Sequence, residues 1–171
     1  MSVKLLERTK ILNRDFFARP ADEVASDLLG KIICRKMDDG FVMRCRITET
    51  EAYFGTESFC YGYGGKNPQN KNVIFYSVGK VCYYAEMLMV SCFDKLSPDN
   101  VLIRSVDLHS GPEKSAEALD IKEVLNEEDL TSSDIIWLED DGAKIEYSFS
   151  ERVNIRSDSK YNFKVTSISF E

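Results

Sequence analysis

Glu49, Glu51 and Tyr53 recur at every second position in the run RITETEAYFG, residues 46–55. In a strand, alternate side chains share a face, so the two carboxylates stand roughly 7 Å apart on one side of the backbone. Two carboxylates on a semi-buried face repel, and one is driven towards its neutral form unless a cation intervenes. That environment suits general acid–base work. It equally suits a structural ion pair, with Arg44, Arg46 or Arg104 as the partner. Arg104 stands inside the apolar run VLIRSV and must be paired if that strand is buried. A third use, as acid and base of a sugar glycosidase, meets a geometric objection. Both groups would point at one side of a substrate instead of flanking it.

Tyr53, Tyr61, Tyr63, Tyr76, Tyr83 and Tyr84 cluster in the same third of the chain. A tyrosine offers a flat apolar face and a polar tip, which suits stacking on a planar ligand. The alternative is a wide aromatic core beneath a sheet. Metal chemistry has little support: five cysteines fall at irregular spacing with no C-x-x-C pair, and His109 is the one histidine. The cysteines read as buried thiols in a reducing compartment, and His109 as a loop residue without a role.

The elements that must position these residues follow from local pattern. A helix is expected from about Ala21, with Pro20 near its start, Asp22 and Glu23 in its first turn and Gly30 as its stop. Two alternating runs, KIICRK and FVMRCRIT, flank Asp39-Gly40 and predict a hairpin. In its second strand Met43, Cys45 and Ile47 share a face, and period two carries Glu49, Glu51 and Tyr53 onto that same face. Residues 55–71 read as a loop. Two or three strands follow around Gly79 with a tip near Glu86, and NVLIRSVDL is another strand. SGPEKSAEALDI is a short helix with Ser110 as N-cap and Pro112 at its first position. DIIWLED, KIEYSF, RVNI and YNFKVTSISF are short strands. The class is α+β: one domain over residues 1–171, with a mixed or antiparallel sheet and a few helices packed around it.

A chain of 171 residues buries a sizeable core without staples. With no signal-like start and no apolar run near the ~20 residues that cross a bilayer, an intracellular protein without a membrane partner is expected. The net charge of −7 is uneven. Residues 1–100 carry 14 basic and 13 acidic groups, and residues 101–171 carry 8 and 16. A polyanion would have to meet the first part of the chain, weakly and with strong salt dependence.

The order of segments resembles the alkyladenine (3-methyladenine) DNA glycosylases. FFARPADEVASDLLGK, a hairpin, RITETEAYFG, GGKNPQNKNVIF, SVGKVCYY, VLIRSVDL and SGPEKSAEALDI follow in the family's order, over roughly residues 11–156. The resemblance implies an enzyme that flips a damaged purine out of the duplex and hydrolyses its bond to deoxyribose in base-excision repair. Glu51 would activate the attacking water, and Arg104 matches the family's active-site arginine. Tyr53 would stack on the flipped base and Tyr84 would line the opposite side of the pocket. Tyr61 falls nearest the family's pocket histidine, Met87 takes the place of its aromatic wedge, with Glu86 beside it, and Asp94 aligns with its pocket asparagine. The family's basic segment before the S-G-P helix is essentially missing, which weakens phosphate contacts. No metal or organic cofactor is implied. The expected partner is DNA containing damaged purines, met by a monomer in the cytoplasm, nucleoid or nucleus. The departures also admit a catalytically silent relative that binds a damaged base, a nucleotide or a protein.

Overall fold

Asp39-Gly40 turns the chain as its sequence requires. Gly40 adopts φ +86°, its N–H donates to the Met37 carbonyl at 2.9 Å, and Asp39 accepts the Phe41 N–H at 2.9 Å. The turn joins β2 (Ile32–Lys36) to β3 (Val42–Tyr53) in a computed structural model that describes residues 8–11, 13–63, 77–92, 98–156 and 158–170. The other strands are β1 (Thr9–Lys10), β4 (Val81–Tyr84), β5 (Met87–Cys92), β6 (Asp99–Val106), β7 (His109–Ser110), β8 (Ile136–Asp140), β9 (Lys144–Ser150) and β10 (Asn162–Ser169). The helices are α1 (Ala21–Leu28) and α2 (Pro112–Ala118).

Every strand pair among the described residues is antiparallel, in the order β1-β8-β2-β3-β6-β5-β4. β10 pairs with both β3 and β9, so the chain's last strand closes on its central one. The architecture is α+β, and the sheet resolves to the antiparallel alternative. β3 is its hub: its first half pairs with β2, and its second half lies between β6 and β10.

α1 packs its buried side, Ala21, Val24, Ala25 and Leu28, on β3 and β6. Its N-terminus lacks a local side-chain cap, since Pro20 occupies that position. Asp99 of β6 supplies one instead, accepting the Ala21 N–H at 3.3 Å through one oxygen and the Gly55 N–H at 3.0 Å through the other. Gly30 ends the helix at φ +79°, and its N–H donates to Ile47 on β3 at 2.8 Å.

Two local expectations are corrected. Ser110 does not cap α2. Gly111 holds the cap position without a side-chain bond, Pro112 is the first helical residue, and Ser110 belongs to β7. The buried Ser115 hydroxyl ties α2 down instead, lying 3.0 Å from the Arg104 carbonyl and 2.9 Å from that of Gly111. Residues 152–155 (RVNI) are not a strand but an irregular segment laid against the end of β3. The β4–β5 tip falls at Glu86 as expected, with Ala85 and Glu86 both left-handed. Part of the segment around Gly79, including Tyr76, and the GGKNPQNKNVIF stretch lie outside the described residues.

Gly30 has no room for a side chain. A Cβ there would stand 2.3 Å from Ile145 side-chain carbons, on a backbone angle that L-residues rarely adopt. Gly30→Ala is therefore expected to destabilise the fold by about 2 kcal/mol or more. Adding Ile145→Ala should recover only the steric part, and urea unfolding measures both steps.

Candidate active site

β3 carries its chemistry on the face away from the main core, and it reaches that face through an irregularity. Ile47 pairs with Val106, Glu49 with Ser105, and Thr50 with Ile103, so both strands break register near Glu49 and Arg104. Cys45 and Ile47 belong to the main core, and so do Thr50, bonded to the Ala25 carbonyl at 2.8 Å, and Ala52. Period-two alternation therefore does not run through from Ile47. Glu49, Glu51 and Tyr53 leave the face of Cys45 and Ile47, which corrects the sequence expectation. On β6 the same break sends Val101, Ile103 and Val106 to the core and Asn100, Leu102 and Arg104 the other way.

The face so formed borders a cavity of about 620 Å³. Glu51, Tyr53, Arg104, Tyr61, Tyr84 and Met87 all line it. Asp94 lies outside the described residues. The tyrosine cluster divides. Tyr61 and Tyr84 face each other with ring centres 4.5 Å apart, and Tyr53 stands with the small apolar group of Cys82, Met89 and Leu102. Tyr83 packs on the main core and Tyr63 is exposed. The tyrosines thus divide between the cavity wall (Tyr53, Tyr61, Tyr84), the main core (Tyr83) and the surface (Tyr63).

Glu51 exposes none of its surface, and its carboxylate is fully bonded at one end. Oε1 accepts the Val153 N–H at 2.8 Å and the Asn162 amide at 3.1 Å. Oε2 accepts the Tyr53 hydroxyl at 2.8 Å. Glu49 shares the same Asn162 amide at 2.9 Å and takes the Ser105 hydroxyl at 2.9 Å. Arg104 Nε stands 3.3 Å from Glu49 and 3.7 Å from Glu51, as an ion pair too poorly aligned to count as a hydrogen bond. Of the three arginines considered from sequence, Arg104 is the partner, since Arg44 pairs with Glu139 and Arg46 with Asp141.

Burial pushes the Glu49 carboxyl towards neutrality, but the Asn162 and Ser105 hydrogen bonds and the Arg104 charge outweigh it, leaving its pKa below the usual carboxylate range. Burial, then the neighbouring Glu51 charge, raises the Tyr53 hydroxyl, so it stays a protonated donor. Burial likewise pushes the Tyr61 phenol up to about 12 and the Cys60 thiol up to about 11. All five cysteines are buried free thiols. Among the described residues no group of three or more His, Cys, Asp or Glu side chains is placed to hold a metal ion, and no helix is long and apolar enough to cross a membrane.

Sequence reasoning missed Asn162, Val153 and Arg152. Arg152 is wholly buried, donates to the Ala52 carbonyl and to Glu57, and lies over the Tyr53 ring. RVNI carried a weak signal, an arginine in a short apolar run. Nothing local tied it to residues a hundred positions earlier.

Two predictions follow from this charge arrangement. Arg104→Met strands two buried carboxylates and should cost about 3–5 kcal/mol of stability, of which Glu49→Gln in the same chain restores part. A carboxyl whose pKa is lowered by folding adds stability above its unfolded value and loses it as pH falls through the lower folded one. Stability should therefore drop below about pH 4, with a shallower slope in Glu49→Gln. Urea titrations across pH measure both.

The sequence model of the methylpurine-DNA glycosylase family matches residues 15–108. Relatives named "Putative 3-methyladenine DNA glycosylase" match most of the chain, among them three bacterial ones. That of Borreliella afzelii is 34% identical over 164 residues, covering 84% of this chain and 87% of the relative. That of Psychrobacter cryohalolentis is 30% identical, over 86% and 85% of the two chains. That of Natranaerobius thermophilus is 31% identical, over 90% and 92%.

Proposed function

Because the chain belongs to the methylpurine-DNA glycosylase family, we propose that it is a monofunctional DNA glycosylase that removes alkylated purines of the 3-methyladenine type in base-excision repair. The observation that carries this reading is the convergence of Glu51, Arg104 and Tyr53 on one cavity whose wall includes the Tyr61–Tyr84 pair. A flipped purine stacks on Tyr53, with the paired tyrosines on the opposite side. Glu51 accepts a proton from water through Oε2, which holds one hydrogen bond, from Tyr53, and so keeps a second lone pair. The water oxygen bonds to the sugar C1′ as the C1′–N bond breaks. The base leaves with the bonding pair, and alkylation eases that departure by placing positive charge on the base.

Arg104 lines the cavity and stands 3.3 Å from Glu49 and 3.7 Å from Glu51 as the counter-charge to both. Met87 begins β5 directly after the β4–β5 tip and reaches the cavity from there, as a wedge for the space the nucleotide vacates. The reading treats residues 1–171 as one domain, supported by the pairing of β10 with β3 and by β1 joining the same sheet through β8. It places the enzyme inside the cell, acting on DNA as a monomer.

A binding-only relative draws on one observation: the Glu51 carboxylate has no exposed surface. One assay separates the readings. Incubation with alkylated DNA should release free 3-methyladenine, and Glu51→Gln should lower the rate by about 100-fold or more. Release undiminished in Glu51→Gln overturns the role of Glu51. Retained lesion binding with no release from wild type favours the silent relative.

A further inference from the structure

Arg152 keeps a full charge inside the protein. Its guanidinium carbon lies 4.8 Å from the centre of the Tyr53 ring, 5.2 Å from Phe59 and 4.9 Å from Tyr161. Nε donates to the Ala52 carbonyl at 2.7 Å and Nη2 to Glu57 at 2.7 Å, while Nη1 is buried with no hydrogen-bond partner among the described residues. An arginine committed so deeply, and incompletely bonded, is a poor device for stability alone.

Its surroundings give it two effects on the site. The first is mechanical. Arg152 is anchored to β3 at Ala52, and the next amide, that of Val153, donates to Glu51 Oε1 at 2.8 Å. The same guanidinium backs the Tyr53 ring, whose hydroxyl donates to Glu51 Oε2 at 2.8 Å. Each Glu51 oxygen thus takes a bond from a group that Arg152 holds in place.

The second is electrostatic. Arg152 is not among the residues lining the cavity, whereas Tyr53 is, and the guanidinium lies over the Tyr53 ring. The face of an aromatic ring is negative and attracts a cation. A cation already behind the ring opposes a cationic base stacked in front of it, whereas a neutral base stacks without that repulsion.

We propose that Arg152 is a positioning residue acting on the site through Val153 and Tyr53, and that its charge lowers the pocket's selectivity for cationic over neutral purines. The inference rests on the glycosylase reading above.

The test uses two DNA duplexes, one carrying a single cationic 7-methylguanine and the other a single neutral hypoxanthine. Base release gives kcat and KM for wild type, Arg152→Met, Arg152→Lys and Glu57→Gln. In Arg152→Met, kcat should fall on both duplexes with KM little changed, and the cationic-to-neutral ratio of kcat/KM should rise about three- to tenfold. Arg152→Lys keeps the charge and loses the fork, so kcat falls while the ratio stays near that of wild type. Glu57→Gln removes the counter-charge and should move the ratio the opposite way, a result that stands even if Arg152→Met does not fold. General structural damage lowers both reactions together and leaves the ratio alone. An unmoved ratio in Arg152→Met and Glu57→Gln overturns the charge effect, and an unchanged kcat in Arg152→Met overturns the positioning role. If wild type releases neither base and no 3-methyladenine from alkylated DNA, the glycosylase reading fails and this inference falls with it; 3-methyladenine release without either of these bases defeats the inference alone. Release by wild type together with an unmoved ratio defeats the inference alone.

Discussion

Two carboxylates share one amide nitrogen in the interior of this protein. Asn162 donates to Glu49 at 2.9 Å and to Glu51 at 3.1 Å, which puts the two oxygens within about 6 Å of each other. Like charges at that distance repel by roughly 3 kcal/mol in a medium of effective dielectric about 20. The neighbourhood is built to hold them. Arg104 supplies the counter-charge, and Ser105, Val153 and Tyr53 donate the remaining bonds. β6, β10 and the irregular segment at Val153 each send a donor to the end of β3. The sheet's closure of β10 onto β3 is therefore as much a part of the site as the glutamates are.

The arrangement places two carboxylates of identical type in different surroundings. Glu49 takes one hydrogen bond at each oxygen, from Asn162 and Ser105, and has Arg104 as its counter-charge. Glu51 is bonded chiefly at Oε1 and presents Oε2 beside a phenol that burial keeps protonated. One end is fixed and the other lightly held, the combination that the proposed general-base role of Glu51 calls for. Tyr53, Phe59, Tyr61 and Tyr84 contribute aromatic rings to the cavity wall, and the Arg152 guanidinium lies against the first two. That wall is therefore electrically uneven.

The charge balance runs against what DNA binding usually relies on. The net charge of −7 leaves little general attraction for a phosphate backbone. Glu113 lines the cavity, and Glu86 stands at the β4–β5 tip. In the proposed reading, stacking and burial of the base therefore carry more of the affinity than phosphate contacts do.

Much of this was legible in the residue order. The Asp39-Gly40 turn, the two ends of α1, the tip at Glu86 and the strand holding Arg104 are local events, decided by dihedral preference and short-range alternation. Glu51, Tyr53 and Arg104 also stood out by residue type and spacing, and the family resemblance assigned them roles. Tertiary structure alone decided which face they occupy. The paired irregularity at Glu49 and Arg104 reverses the alternation in both strands at once, and no single strand's pattern records a break that needs its neighbour. Asn162, Val153 and Arg152 were hidden for a related reason: they meet Glu51 and Ala52 across 100 residues or more of chain. Local pattern states what each segment prefers; only the closed sheet states which segments meet.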